Sequence, residues 1–213
     1  MKYIIMAGGN YKEFETPKQL LKVKGERLID RTIRLLKENN VDDIAISSNN
    51  PLFDDCGVPR LTHENNYVTN SGVKVSGYWV EAFYPTDEPV TYLYGDVYYS
   101  NYAIRTIVNT NTDDVLFFAS KNVHGRPEYI KNWEEPFAFK VVNQKKFREK
   151  IEFCKQEYDK GHCNREPISW ELYRVLNGYD INTHIIGDNF VAIDDYSTDI
   201  DCLSDIEKLE KVL

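Results

Sequence analysis

The stretch Lys2-Tyr3-Ile4-Ile5-Met6-Ala7-Gly8-Gly9 decides the fold. The apolar run that begins at Lys2 is too short for a helix and stops at Ala7-Gly8-Gly9, so it predicts a buried strand closed by a glycine turn. Leu28, Ile29, Ile33, Leu35 and Leu36 then fall on one helical face with charges between them. Asp43-Ile44-Ala45-Ile46-Ser47-Ser48 reads as a second strand. Strand, loop, helix and strand in this order form the unit of a parallel sheet with right-handed crossovers.

The rest of the chain continues the alternation. Residues 75–83 read as a helix, Val90 to Tyr94 as a strand ending at Gly95-Asp96, Asn101 to Val108 as a helix and Val115 to Ala119 as a buried strand. Phe137 to Val142 is a further strand. Phe147, Ile151, Cys154 and Tyr158 follow helical spacing to a stop at Gly161, and Pro167 opens a helix through Leu176. Ile181 to Ile186 and Phe190 to Ile193 read as strands. Ser204-Asp205-Ile206-Glu207 has the capping-box pattern, with Ile206, Leu209 and Val212 inward on a last helix. The expectation is one α/β domain over residues 1–213, with a mostly parallel, Rossmann-like central sheet flanked by helices. Residues 143–180 are expected to be an insertion or lid.

Bulk properties narrow the function classes. Hydrophobic residues make up 42% of the 213, enough for a real core, and the formal net charge of -8 disfavours broad nucleic-acid binding. No apolar run approaches the ~20 residues of a membrane helix, and the apolar start is too short for a signal peptide. Cys56, Cys154, Cys163 and Cys202 form no C-x-x-C pair and are expected to be free thiols; the four histidines show no metal-ligand spacing. A cytoplasmic protein is expected, with no nucleic-acid or membrane partner.

Three short segments carry the chemistry. Glycines after the first strand let backbone N–H groups approach phosphate oxygens, and Lys18 in Thr16-Pro17-Lys18-Gln19-Leu20 can fold back over the same phosphates. Asp96, just past an apolar strand, stands at the carboxyl edge of the sheet, where α/β proteins bind ligands and where a hard carboxylate suits Mg²⁺. Asp199 and Asp201 are spaced i and i+2, so in extended chain they face one side. Each segment alone also reads as an ordinary turn or a solvated acidic loop.

Taken in order, the segments resemble the nucleotidyltransferases of the sugar-phosphate and phosphocholine cytidylyltransferase type. That family's signature of apolar strand, Ala-Gly-Gly, Pro-Lys-x-Leu and Gly-x-x-Leu-Ile matches Ile4 to Gly9, Pro17 to Leu20 and Gly25 to Ile29. Its Gly-Asp metal motif matches Gly95-Asp96, and its acidic-x-Asp motif before a final helix matches Asp199-Ile200-Asp201. The chain departs from the pattern at Asn10-Tyr11-Lys12-Glu13-Phe14, where the family has a second glycine and then an arginine; Lys12 supplies the charge without the bidentate fork.

The resemblance implies a glycosyltransferase-A-like fold and transfer of a nucleotidyl group from a nucleoside triphosphate, CTP by expectation, to a small phosphorylated acceptor. It implies Lys18 and Asp96 as catalytic residues, and Mg²⁺ on Asp96, Asp199 and Asp201. Ala7, Gly8, Gly9, Lys12, Lys18, Asn70, Ser71, Gly72 and Gly95 are expected around the nucleotide. Arg126, Arg165, Glu166, Trp170 and Glu171 are candidates for the second substrate, with Trp170 also readable as a packing residue of the 143–180 segment. A homodimer is left open. The alternatives are a glycosyltransferase of the same broad fold, a non-catalytic nucleotide-binding protein, and a molybdenum-cofactor guanylyltransferase, which also begins with a Gly-Gly loop.

Overall fold

The computed structural model describes residues 1–8, 14–64, 78–120, 135–211 and 213. The strands and helices in chain order are β1 (Lys2–Met6), β2 (Lys22–Val23), β3 (Glu26–Arg27), α1 (Leu28–Glu38), β4 (Ile44–Ser47), β5 (Arg60–Leu61), β6 (Val90–Tyr94), β7 (Val97–Tyr98), α2 (Asn101–Asn109), β8 (Val115–Ala119), β9 (Pro136–Val141), α3 (Gln144–Asp159), α4 (Ser169–Leu176), β10 (Phe190–Ala192), β11 (Thr198–Asp199) and α5 (Leu203–Glu210). Seven strands form one sheet in the order β10-β8-β9-β6-β1-β4-β5. β1 pairs in parallel with β4 and β6, and β9 runs antiparallel between β6 and β8. The mostly parallel α/β sheet read from the sequence is therefore present.

β1 is a central strand between parallel neighbours in a sheet covered on both faces by helices, so Ile4 and Ile5, which point to opposite faces, are both fully buried. One face of the sheet is covered by α3, α4 and a 3-10 turn at Trp79–Ala82 through an aromatic layer. Phe83 meets Tyr92, Phe139 and Phe147 edge-on, while Phe117 stacks on Phe139 and Tyr173. Side chains alternate along a strand, so Lys140 points to the side opposite Phe139. There its Nζ donates to the Val108 and Thr110 carbonyls at the end of α2, which places α2, with α1 packed against it, on the other face.

Residues 143–180 supply α3 and α4 of the aromatic face. α3 ends as the sequence predicts: Gly161 takes φ +75°, its N–H reaches the Tyr158 carbonyl and the His162 N–H reaches Glu157, which satisfies two last-turn carbonyls. Trp170 is 6% exposed and lies against Phe117, Tyr173, His184 and Phe190. Trp170→Ala is expected to destabilise the fold by about 3–5 kcal/mol in urea unfolding, the usual cost of deleting a buried aromatic ring. A wild-type unfolding midpoint would contradict this packing role.

Four local expectations are corrected. Ile181 to Ile186 is not a strand, because the Asp180 carboxylate accepts the Asn182 N–H and the Thr183 hydroxyl and turns the chain locally. Within 75–83 the described residues form only the single 3-10 turn, closed by Glu81 accepting the Tyr78 N–H. The helix after Pro167 begins at Ser169, where Glu171 accepts the Ile168 N–H. The last helix starts at Leu203, earlier than the Ser204 cap predicts, because Asp205 caps the N–H groups of Asp201 and Cys202; Val212 lies outside the described residues. All four cysteines are free thiols. Among the described residues no helix is long and apolar enough to cross a membrane.

Candidate active site

The carboxyl ends of β1 and β6 meet side by side, with Met6 opposite Tyr94. Gly95 follows at once and donates its N–H to the Met6 carbonyl at 2.9 Å. A Cβ at residue 95 would lie 2.7 Å from that same carbonyl oxygen and 2.9 Å from Gln19 Cγ. Only glycine lets β6 stay this close to β1 while turning Asp96 into the cleft. Gly95→Ala is expected to cost about 1–3 kcal/mol in urea unfolding, because the clashing oxygen is fixed backbone. Turnover is expected to fall with it, and unchanged stability would refute the close approach.

Lys18 arrives from the other side. Pro17 pre-sets the entry to a 3-10 turn at Lys18–Leu20, in which the Leu20 N–H bonds the Pro17 carbonyl and the Leu21 N–H bonds Lys18. Gln19 is buried and its amide donates to the Gly8 carbonyl at 3.4 Å, wedging the turn between Gly8 and Gly95. The chain then makes the β2–β3 hairpin, whose tip Lys24-Gly25 takes positive φ at both residues.

The C-terminal segment closes the third side. β11 pairs antiparallel with β7, setting Asp199 opposite Val97, and the Ile200 N–H bonds the Asp96 carbonyl at 2.9 Å. Ile200 is fully buried in a second, smaller core with Val23, Leu28, Tyr98 and Leu209. With Ile200 pointing in, its neighbours at 199 and 201 fall on the outer side. The Ser100 hydroxyl bonds Asp195, and the Ser197 hydroxyl accepts the Ser100 N–H, so the segment is also pinned to the start of α2.

These three approaches converge on one charge cluster. Lys18 Nζ lies 2.9 Å from Asp96 Oδ2 and 3.2 Å from Asp201 Oδ1. Lys18 and Asp201 are 183 positions apart in sequence. Burial alone would push the Lys18 ammonium down, but Asp96 and then Asp201 outweigh it and hold the group above its ordinary range, charged at any working pH.

The other expected site residues are placed as follows. Ala7 is buried and its N–H is taken by the Ser47 carbonyl, and Gly8 offers its carbonyl to Gln19. Gly9, Lys12, Asn70, Ser71, Gly72 and Arg126 lie outside the described residues. Arg165 forms a two-point ion pair with Glu171, which is 4% exposed and also meets Arg174. Glu166 accepts the backbone N–H of Trp79 at 2.8 Å. Trp170 sits in the aromatic layer, and its neighbour Ser169 accepts a hydrogen bond from the Tyr94 hydroxyl, so α4 begins beside the site. Among the described residues no three His, Cys, Asp or Glu side chains form a preformed metal cage. Asp96 and Asp201 converge on one cation, and that cation is Lys18.

Sequence reasoning did not single out Gln19, Trp79 or Tyr94. Gln19 fills the variable place in Pro-Lys-x-Leu and carries no motif signal. Trp79, edge-on to Tyr94 at 5.8 Å and tied to Glu166, is brought beside the end of β6 only through the fold.

A sequence model of the MobA-like NTP transferase domain matches residues 3–160. No curated protein matches the chain in sequence. Several solved structures share its fold, among them the following three. The 2-C-methyl-D-erythritol 4-phosphate cytidylyltransferase from Thermus thermophilus is 14% identical, with a TM-score of 0.57 over 99% of this chain and 97% of that one. The inositol-1-phosphate CTP transferase from T. maritima is 15% identical, with a TM-score of 0.53 over 99% and 95%. CTP:phosphocholine cytidylyltransferase from Streptococcus pneumoniae is 16% identical, with a TM-score of 0.51 over 99% and 98%.

Proposed function

The chain belongs to the MobA-like NTP transferase family, and from that premise we propose that it transfers a nucleotidyl group from a nucleoside triphosphate to a small phosphorylated acceptor, with Mg²⁺ and release of pyrophosphate. The observation that carries this reading is the meeting of Asp96, Asp201 and Lys18 at the carboxyl edge of β1 and β6. CTP is the proposed donor, in line with the cytidylyltransferases that share the fold.

The residues suit the chemistry. An acceptor phosphate oxygen attacks the α-phosphorus, a new P–O bond forms, and the bond to the bridging oxygen breaks as pyrophosphate leaves. The attacking group is already an anion, so no protein nucleophile or base is required, and the protein contributes position and charge. Lys18 neutralises phosphate charge, and the backbone after β1 supplies N–H donors. Two hard carboxylates that already converge on a positive charge fit Mg²⁺, which binds through one or two carboxylates plus substrate phosphates. Asp96 and Asp201 would hold it, with Asp199 beside them, and the ion would neutralise charge on the α-phosphate. The acceptor is proposed to enter on the α4 side, past Trp79, Arg165 and Glu166.

The test is a pyrophosphate-release panel with Mg²⁺, crossing CTP, GTP, ATP and UTP against phosphocholine, glycerol phosphate, sugar 1-phosphates and other small phosphates. The expected result is acceptor-dependent pyrophosphate, greatest with CTP. Release with GTP alone would move the donor to guanine. Nucleotide binding with no release under any pairing would favour a non-catalytic member.

A further inference from the structure

Lys18 stands where a metal ion would. Its ammonium touches Asp96 at 2.9 Å and Asp201 at 3.2 Å, and its side chain is only 16% exposed. A divalent cation on the same oxygens would sit at about 2.0–2.1 Å from them. An ammonium and a divalent ion cannot share those oxygens at such range without strong like-charge repulsion in a partly desolvated cleft. Lys18 and the metal are therefore alternative occupants of one anionic site.

The two carboxylates and the lysine differ in freedom. Asp96 is held by the tight Gly95 turn and by its carbonyl bond from Ile200. Asp201 is held by Asp205, which caps its N–H, and by the buried Ile200 next to it. Lys18 has a fixed backbone but carries its charge on a flexible four-carbon stem. It is the member that can move, and it will leave two carboxylates only for a richer anion. A triphosphate is such an anion, and the glycine loop that would cradle it begins at Gly8, beside Gln19 of the same turn.

We propose that Lys18 is an internal counter-cation that bars Mg²⁺ from Asp96 and Asp201 until a nucleoside triphosphate draws it away, so that metal enters with the nucleotide and not before it. This rests on the nucleotidyl-transfer reading. In the nucleotide-free protein the site stays neutralised by its own lysine, and the carboxylates do not have to face one another unscreened. When the triphosphate arrives, one motion of the lysine moves positive charge onto the phosphates and exposes two oxygen ligands.

The experiment is a titration of the purified protein with Mn²⁺, read by the electron paramagnetic resonance of the free ion, without nucleotide. Wild type is expected to bind weakly, and Lys18→Met about tenfold more tightly or better. Lys18→Met combined with Asp96→Asn is expected to return to weak binding. Equal Mn²⁺ affinity for wild type and Lys18→Met overturns the proposal. If Lys18→Met does not fold, the second arm uses wild type alone, with each of the four α,β-methylene nucleoside triphosphates and with binding by the nucleotide itself subtracted. At least one is expected to raise Mn²⁺ affinity about tenfold or more, and no change with any of them overturns the proposal. Tight Mn²⁺ binding without nucleotide, in a protein that still releases pyrophosphate, would end the counter-cation role and leave nucleotidyl transfer standing.

Discussion

Asp96→Asn is expected to lower turnover by about 10²–10³-fold, the usual effect of removing one charged contact from a preorganised site. The substitution keeps the shape of the side chain and leaves the backbone intact. The Asp96 carbonyl still accepts the Ile200 N–H, and Gly95 still bonds Met6. The fold should therefore survive. The lost ion pair with Lys18 is part-exposed, so its contribution to stability is small. The check is steady-state pyrophosphate release beside thermal unfolding followed by circular dichroism. Near-normal turnover in a folded variant would remove Asp96 from the site.

Lys18→Ala is the second large effect, expected at about 10²–10³-fold in turnover because it leaves phosphate charge unneutralised. Its signature differs from that of Asp96→Asn. Lys18 is proposed to contact the triphosphate before and during reaction, so apparent nucleotide affinity is expected to weaken together with turnover. Lys18→Arg is expected to rescue only partly, because a guanidinium pairs with carboxylates through two parallel N–H groups and would hold Asp96 and Asp201 instead of moving onto the phosphates as a compact point charge does. A residue that merely supported the fold would lose stability and activity in parallel and would be rescued by any long side chain. Full activity in Lys18→Ala would contradict the role outright.

Much of this is legible in the sequence, because the strongest signals are periodic or punctuated. The run Lys2 to Met6 can only be a strand once Ala7-Gly8 stops it, and the spacing of Leu28, Ile29, Ile33, Leu35 and Leu36 admits only a helix. Lys18, Asp96 and Asp201 are readable as candidates because each follows a turn or strand end. Their meeting is implied only by the family resemblance and not by spacing or periodicity, since it depends on the two-residue ladder between β7 and β11, which is too short to leave a periodic trace. The i and i+2 spacing gives Asp199 and Asp201 the same side but not the register, and the register is what puts Asp201 on Lys18. Ile181 to Ile186 shows the opposite failure. Its apolar residues fit a strand, but the Asp180 side chain captures the local N–H and hydroxyl donors. Trp170 looks like a ligand group by type but is also readable as a packing residue, and the fold gives it that packing, while the capping partner of Glu171 is one that no spacing reveals.

The most direct measurement follows the α-phosphorus itself. The protein is incubated with Mg²⁺, α-³²P-labelled nucleoside triphosphates one at a time, and the panel of phosphorylated acceptors, and the products are separated by chromatography. For at least one pairing the label is expected in a diphosphate-linked nucleotide–acceptor conjugate, with one pyrophosphate released per conjugate and the yield collapsing in Asp96→Asn. Label that remains in triphosphate with every acceptor, or that emerges only as free monophosphate, would contradict nucleotidyl transfer at this site.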